Sequence, residues 1–238
     1  MAEPKPKIRL CVDCALAAGA SVTLAQAQAH YLSHVMRLRP GDGVALFNGR
    51  DGEWRATLAG IDRKEVSLTV GSLLRPQADE PGPWLAFAPV KRAKTDLIVE
   101  KAAELGVERI MPVMTARAIA ERVRLDRLEA IAREAAEQCG RLTLPRIDPP
   151  VSLERLLADW PADRALMFCD TDPDATPSLS CEPVGPVGVL IGPEGGFTDA
   201  ERQAVLASSA ACALSLGPLT LRAETAAIAA LARLRAMP

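Results

Sequence analysis

The chain has 238 residues, 49% hydrophobic and 24% charged, with a formal net charge of −2. This balance fits a globular protein with a sizeable core and excludes a disordered chain. No apolar run approaches the roughly 20 residues of a membrane-spanning helix. The polar start Met1-Ala2-Glu3-Pro4-Lys5-Pro6-Lys7 lacks a signal-peptide centre, so a cytoplasmic location is expected. Net charge is +3 over residues 1–75, +1 over 76–147 and −6 over 148–238. That distribution does not exclude a nucleic-acid partner, because a local basic stripe matters more than the total.

Residues 8 to 74 read as short strands around one helix. The helix candidate, Ala25 to Leu38, places Ala29, Leu32, Val35, Met36 and Leu38 at near-helical spacing. It stops at the turn cluster Arg39-Pro40-Gly41-Asp42-Gly43. Val44–Phe47 and Glu53–Leu58 flank Asn48-Gly49, a hairpin signal, and Glu65–Val70 alternates polar with apolar residues. Short strands with one helix predict a small β-barrel. The Pro-rich break Arg75–Pro83 then separates a domain over 1–75 from one over 76–238.

Beyond the break, strands and helices alternate. The strands are Trp84–Ala88, Arg109–Val113, Ala165–Cys169, Val187–Ile191 and Ala211–Leu216. The helices are Thr95–Leu105, Leu125–Cys139, a segment opened by the capping-box pattern Thr198-Asp199-Ala200-Glu201, and Thr225–Leu234. Repeated β-α-β units predict an α/β domain with a parallel sheet.

Six cysteines are present. Cys11 and Cys14 form a C-x-x-C whose spacing to His30 and His34 resembles half of a zinc site, but apolar neighbours favour ordinary buried thiols. No metal is assigned, and disulfides are not expected in a reducing compartment.

Two loops near the end of the chain carry the chemistry. Gly192-Pro193-Glu194-Gly195-Gly196-Phe197 follows one strand, and Leu216-Gly217-Pro218-Leu219-Thr220-Leu221-Arg222-Ala223-Glu224-Thr225 follows the next. Each leaves a strand and opens a helix, at the sheet edge where α/β proteins bind ligands. Neither a Walker pattern nor a dinucleotide fingerprint is present, which disfavours phosphate binding by a P-loop. Apolar Leu216, Leu219 and Leu221 beside glycines suit a flat ring with backbone hydrogen bonds.

These loops resemble motifs of the SPOUT methyltransferases, and within them the RsmE family of 16S rRNA (uracil-N3) methyltransferases. The resemblance spans nearly the whole chain. It includes His30-Tyr31-Leu32 through Asp42, Phe47-Asn48-Gly49-Arg50, Lys101 to Gly106 and Glu134 to Arg141. It implies a C-terminal SPOUT-type trefoil-knotted α/β domain, a small N-terminal PUA-like β-barrel that binds RNA, S-adenosyl-L-methionine as cofactor and a homodimer. The implied substrate is uridine 1498 of 16S rRNA in the small ribosomal subunit. Another SPOUT activity, such as ribose 2′-O-methylation, or a non-catalytic RNA-binding assembly factor are the competing readings.

By that resemblance, Cys169, Gly192, Gly195, Gly196, Leu216, Gly217 and Leu221 line the cofactor site. The family's basic residue after Gly-Pro in the second loop is replaced by Leu219-Thr220. Methylating uracil N3 requires loss of its proton. Arg222 is the candidate for stabilising charge on the ring oxygens, and Glu224 or Glu194 for handling the proton. The base must be unpaired, because N3 lies on its Watson–Crick edge. Candidate RNA-binding cations are Arg37, Arg39 and Arg50, with Lys91, Arg92, Lys94, Arg117, Arg122 and Arg124 in the second domain.

Overall fold

The computed structural model describes residues 6–24, 26–62, 65–118, 122–169 and 185–236. The chain divides into two compact units: Met1–Glu80 with Ala136–Thr143, and Pro81–Ala135 with Leu144–Pro238. A single cut at residue 75 would leave the short stretch 136–143 with the second unit, whereas it packs with the first.

The first unit contains β1 (Arg9–Cys11), β2 (Ser21–Leu24), α1 (Gln26–His30), β3 (Gly43–Phe47), β4 (Glu53–Asp62) and β5 (Glu65–Arg75). The sheet order is β1-β3-β4-β5-β2. The β1–β3 pair is parallel and the others are antiparallel, so the expected barrel is realised as a five-stranded mixed sheet. The hairpin expected at Asn48-Gly49 joins β3 to β4. Alternate residues Val44, Leu46, Ala56, Leu58, Val66, Leu68 and Val70 turn inward against Leu32 of the helical segment. Each fully buried valine or leucine among them contributes about 1.5–3 kcal/mol.

The single helix expected over Ala25 to Leu38 is not continuous. α1 gives way at Tyr31–Val35 to a π-helical turn, in which the Met36 amide donates to the Tyr31 carbonyl at 2.9 Å. Ser33 explains the change in part. Its hydroxyl donates to the Ala29 carbonyl at 2.7 Å, engaging the acceptor that its own amide would use in an α-helix. Arg37 then takes a φ of 54°, the left-handed region, and ends the segment.

Glu53 is the polar centre of this unit. Its fully buried carboxylate pairs with Arg9 at 2.5 Å and Arg75 at 2.9 Å. Arg9 also donates to the carbonyls of Ala136, Glu137 and Arg141, and Arg75 to that of Gly140. The two guanidiniums thus satisfy carbonyls at a helix C-terminus, where positive charge is favoured.

The second unit runs β6 (Trp84–Phe87), α2 (Arg92–Glu104), β7 (Arg109–Met114), α3 (Leu125–Cys139), β8 (Arg146–Ile147), β9 (Val151–Ser152) and α4 (Leu153–Ala158). It continues with β10 (Ala165–Cys169), β11 (Val187–Ile191), α5 (Asp199–Leu206), β12 (Ala211–Ala213) and α6 (Ala223–Arg235). Only the last turn of α3 is counted with the first unit. The strands pair in parallel in the order β12-β10-β11-β6-β7-β8.

Strand alternation separates two cores. Leu85, Phe87, Met167, Val189 and Ile191 meet α2, α3 and α6 on one face. Ala86, Leu166, Phe168 and Leu190 meet Leu153, Leu156 and Val205 of α4 and α5 on the other. Burial on both faces explains why these strands read as continuous apolar runs. β12 is shorter than the expected Ala211–Leu216, since the chain leaves the sheet after Ala213. Among the described residues, no helix is long and apolar enough to cross a membrane. Cys11, Cys14, Cys139 and Cys169 are free thiols, but Cys212 is disulfide-bonded, against the expectation.

Candidate active site

Three adjacent strands end together. Phe87 of β6 lies beside Ile191 of β11, and Ile191 beside Cys169 of β10. At this carboxyl edge lies a cleft of about 610 Å³. Lys91 and Lys94 at the start of α2 form one side. The loop from Gly192 to Phe197 forms another, and Thr220, Leu221, Arg222, Ala223 and Ala226 the third. Cys169 and Ile191 supply the strand ends at its wall.

The glycine loop is held from several directions. A Cβ on Gly192 would lie 2.6 Å from the Phe197 ring, so only glycine lets that ring close over the backbone. Phe197 in turn packs edge-on against Phe168, with centroids 5.1 Å apart. Arg117 Nη1 donates to the Gly195 carbonyl at 2.8 Å and the Phe197 carbonyl at 3.2 Å. Beyond the loop, Thr198 and Glu201 form the expected capping box at the start of α5. Glu201 also accepts from the Ala116 amide at 2.7 Å. Burial raises the Glu201 pKa, but the Thr198 and Ala116 amides outweigh it and hold the carboxyl below its usual range.

The second loop turns at Gly217, whose φ of +105° favours glycine. Arg233 in the last turn of α6 donates to the Ser215 carbonyl at 2.8 Å and steadies the start of this loop. Arg222 is the N-cap residue of α6, with extended dihedrals and no side-chain cap bond. Glu224 sits in the first helical turn, where its negative charge complements the helix dipole.

One cation joins these parts. The Lys94 ammonium pairs with Glu194 of the glycine loop and lies 3.4 Å from Glu224 of α6. The hydrogen bond from Lys94, aided by the charges of Lys91 and Arg222, holds the Glu194 carboxyl below its ordinary range. Reciprocally, Glu194 first and Glu224 second hold the Lys94 ammonium above its own. Burial pushes the Cys169 thiol up to about 12, so it serves as a neutral wall.

The cleft therefore brings together Arg222, Glu194, Cys169, Gly192, Gly195, Gly196 and Leu221, with Glu224 joined to it through Lys94. It does not include Leu216, which packs against the core, or Gly217, which shapes the turn. Of the cations read as RNA contacts, Lys91 and Lys94 line the cleft and Arg117 braces its loop. Arg92 and Arg122 are exposed in the second unit, and exposed Arg124 pairs with Asp126 at 2.6 Å. Arg37, Arg39 and Arg50 are exposed in the first unit. Sequence reading did not select Pro193, Phe197 or Ala226 for the cleft; the Gly-Gly-Phe spacing was the one signal for Phe197.

A parallel α/β sheet with two glycine loops at its carboxyl edge and a basic, carboxylate-bearing cleft defines an enzyme-like ligand site. Residues 80–235 match the RNA methyltransferase domain family, and residues 24–71 the RNA methyltransferase PUA domain. The ribosomal RNA small subunit methyltransferase E of Rickettsia conorii is 31% identical over 95% of this chain and 94% of its own length. That of Synechocystis sp. is 32% identical over 92% of this chain and 74% of its own. Among solved structures, the methyltransferase E of Neisseria gonorrhoeae bound to S-adenosyl methionine superposes with a TM-score of 0.85. It shares 27% identity, with 96% of each chain covered.

The chain belongs to the ribosomal RNA small subunit methyltransferase E (RsmE) family of RNA methyltransferases.

Proposed function

We propose that this chain uses S-adenosylmethionine to methylate N3 of one uridine in small-subunit ribosomal RNA, position 1498 by family resemblance. The observation that carries the reading is the glycine-framed cleft at the sheet edge, in a chain whose relative binds this cofactor. The residues present fit it. The volume of about 610 Å³ suits a nucleoside-sized ligand. Ile191, Leu221 and Ala226 offer apolar surface, and Gly192, Gly195 and Gly196 leave backbone free of side chains. These residues would hold the cofactor, with Cys169 at its wall and Leu216 and Gly217 shaping the second loop behind. When bound, the cofactor supplies an electrophilic methyl group.

The chain's own groups handle the base. N3 loses its proton before or during methyl transfer, and the negative charge left behind is shared with the neighbouring ring oxygens until the methyl group neutralises it. Arg222, exposed beside the cleft and unoccupied by capping, supplies the opposing charge. Glu194 borders the cleft as an ionised carboxylate and is the proton acceptor in this reading, although its pairing with Lys94 lowers its basicity. Glu224 is the second carboxylate, mostly buried and in contact with Lys94. Arg37, Arg39 and Arg50 in the first unit, and Lys91, Arg92, Arg122 and Arg124 in the second, supply cations for RNA phosphates. A homodimer and the trefoil knot complete the reading.

Calorimetry with S-adenosylmethionine, followed by transfer of a labelled methyl group to small ribosomal subunits, tests it. Binding with transfer that is lost in Arg222→Ala supports the reading. No binding to the wild type overturns it.

A further inference from the structure

Lys94 stands among charged groups on a helix start, where sequence alone suggests a phosphate contact. Its surroundings differ from that role. The side chain is only 22% exposed, and its ammonium is engaged with two carboxylates from distant parts of the chain. One belongs to the loop after β11 and the other to the first turn of α6, while Lys94 itself is on α2. These are the three segments that wall the cleft. An ammonium has three donors in a compact charge, which lets it serve two carboxylates at once.

Glu224 depends on this contact. Its Oε2 atom is buried with no hydrogen-bond partner, and among the described residues Lys94 is its one ion-pair partner. Removing the ammonium would leave a mostly buried carboxylate uncompensated, an arrangement that structures avoid. Glu194, by contrast, faces further positive groups in Lys91 and Arg222, and it is the more exposed of the two.

We propose that Lys94 is a positioning residue of the methyltransferase, whose single ammonium ties Glu194 of the glycine loop and Glu224 of α6 to α2 and so sets the shape of the cleft. It acts through the carboxylates and does not bind RNA phosphate. The inference deepens the methyltransferase reading, but its main consequence can be read in the free protein.

The test is a carbon-13 titration of glutamate side-chain carboxyls in the unliganded protein, with Glu194→Gln assigning the resonance. In wild type the Glu194 carboxyl titrates below an ordinary glutamate. In Lys94→Met and in Lys94→Gln it moves upward, and in Lys94→Arg it returns toward the wild-type position. Calorimetry on the same proteins shows S-adenosylmethionine affinity falling about tenfold in Lys94→Met, the loss of one interaction. Lys94→Met combined with Glu194→Gln loses less than the sum of the two single changes. RNA affinity keeps its salt slope.

An unmoved Glu194 titration in folded Lys94→Met and Lys94→Gln overturns the proposal. So does a salt slope that flattens in either variant, because that assigns Lys94 to phosphate. If neither variant folds, the melting temperature of Lys94→Arg decides, with near-wild-type stability supporting a charge tie and collapse contradicting it. If the titration shifts but wild type transfers no methyl group to uridine, the functional reading fails and the role of Lys94 stands.

Discussion

Arg117 Nη1 lies 2.8 Å from the carbonyl oxygen of Gly195, to which it donates. A second bond reaches Phe197, so this exposed cation braces the glycine loop from outside the cleft. Hydrogen bonds from charged groups contribute about 1.5–3 kcal/mol each. Arg117→Ala is expected to weaken S-adenosylmethionine binding at least about tenfold in calorimetry. Affinity for RNA at fixed salt should change less.

Gly192→Ala should be more severe. The added methyl would meet the Phe197 ring at 2.6 Å, and that ring is packed against Phe168. The loop must move away from Phe197, so cofactor affinity should fall by about 100-fold or more, equivalent to roughly 2.7 kcal/mol. Far-ultraviolet circular dichroism should stay near wild type. An affinity equal to wild type would show that the ring does not control the loop.

Glu53 concerns stability and not the cleft. Glu53→Gln leaves Arg9 and Arg75 facing each other without their shared carboxylate. Breaking a buried charge pair costs about 3–5 kcal/mol, readable as a lower denaturation midpoint. Cofactor affinity of the folded fraction should be unchanged.

Glu201 makes stability depend on pH. Its folded pKa is lowered below 4.5, so the unfolded chain binds the proton more readily. The stabilisation is present above the unfolded pKa and is lost as pH falls through the folded pKa. Thr198→Ala removes a cap worth about 1 kcal/mol at neutral pH. The gap between this variant and wild type should narrow below pH 4.5, measured by urea unfolding across the acid range.

Much of the second unit was legible because burial on both sheet faces leaves unbroken apolar runs. Ala165–Cys169, Val187–Ile191 and Leu125–Cys139 have the expected limits. The capping box at Thr198 was readable because all its partners lie within four residues. α4 was missed, although Ser152 caps it in the structure, because six residues carry too little periodicity. The π-helical turn was also hidden, since a serine hydroxyl bonded to its own helix leaves no pattern in hydrophobic spacing.

The site was readable as glycines and charges, but not as pairings. Lys94 reads as a surface cation until Glu194, a hundred residues downstream, is brought to it by the sheet. The bracing role of Arg117 was hidden for the same reason, because its acceptors are backbone carbonyls 78 and 80 residues away. Backbone acceptors have no sequence signature.

The central claim is the identity of the methylated atom. Small ribosomal subunits from a strain lacking the gene, incubated with the protein and S-adenosylmethionine, can be digested and their nucleosides mapped by mass spectrometry. The predicted result is one methyl group on N3 of a single small-subunit rRNA uridine. A methyl group on a ribose 2′-oxygen, or none at all, would contradict it.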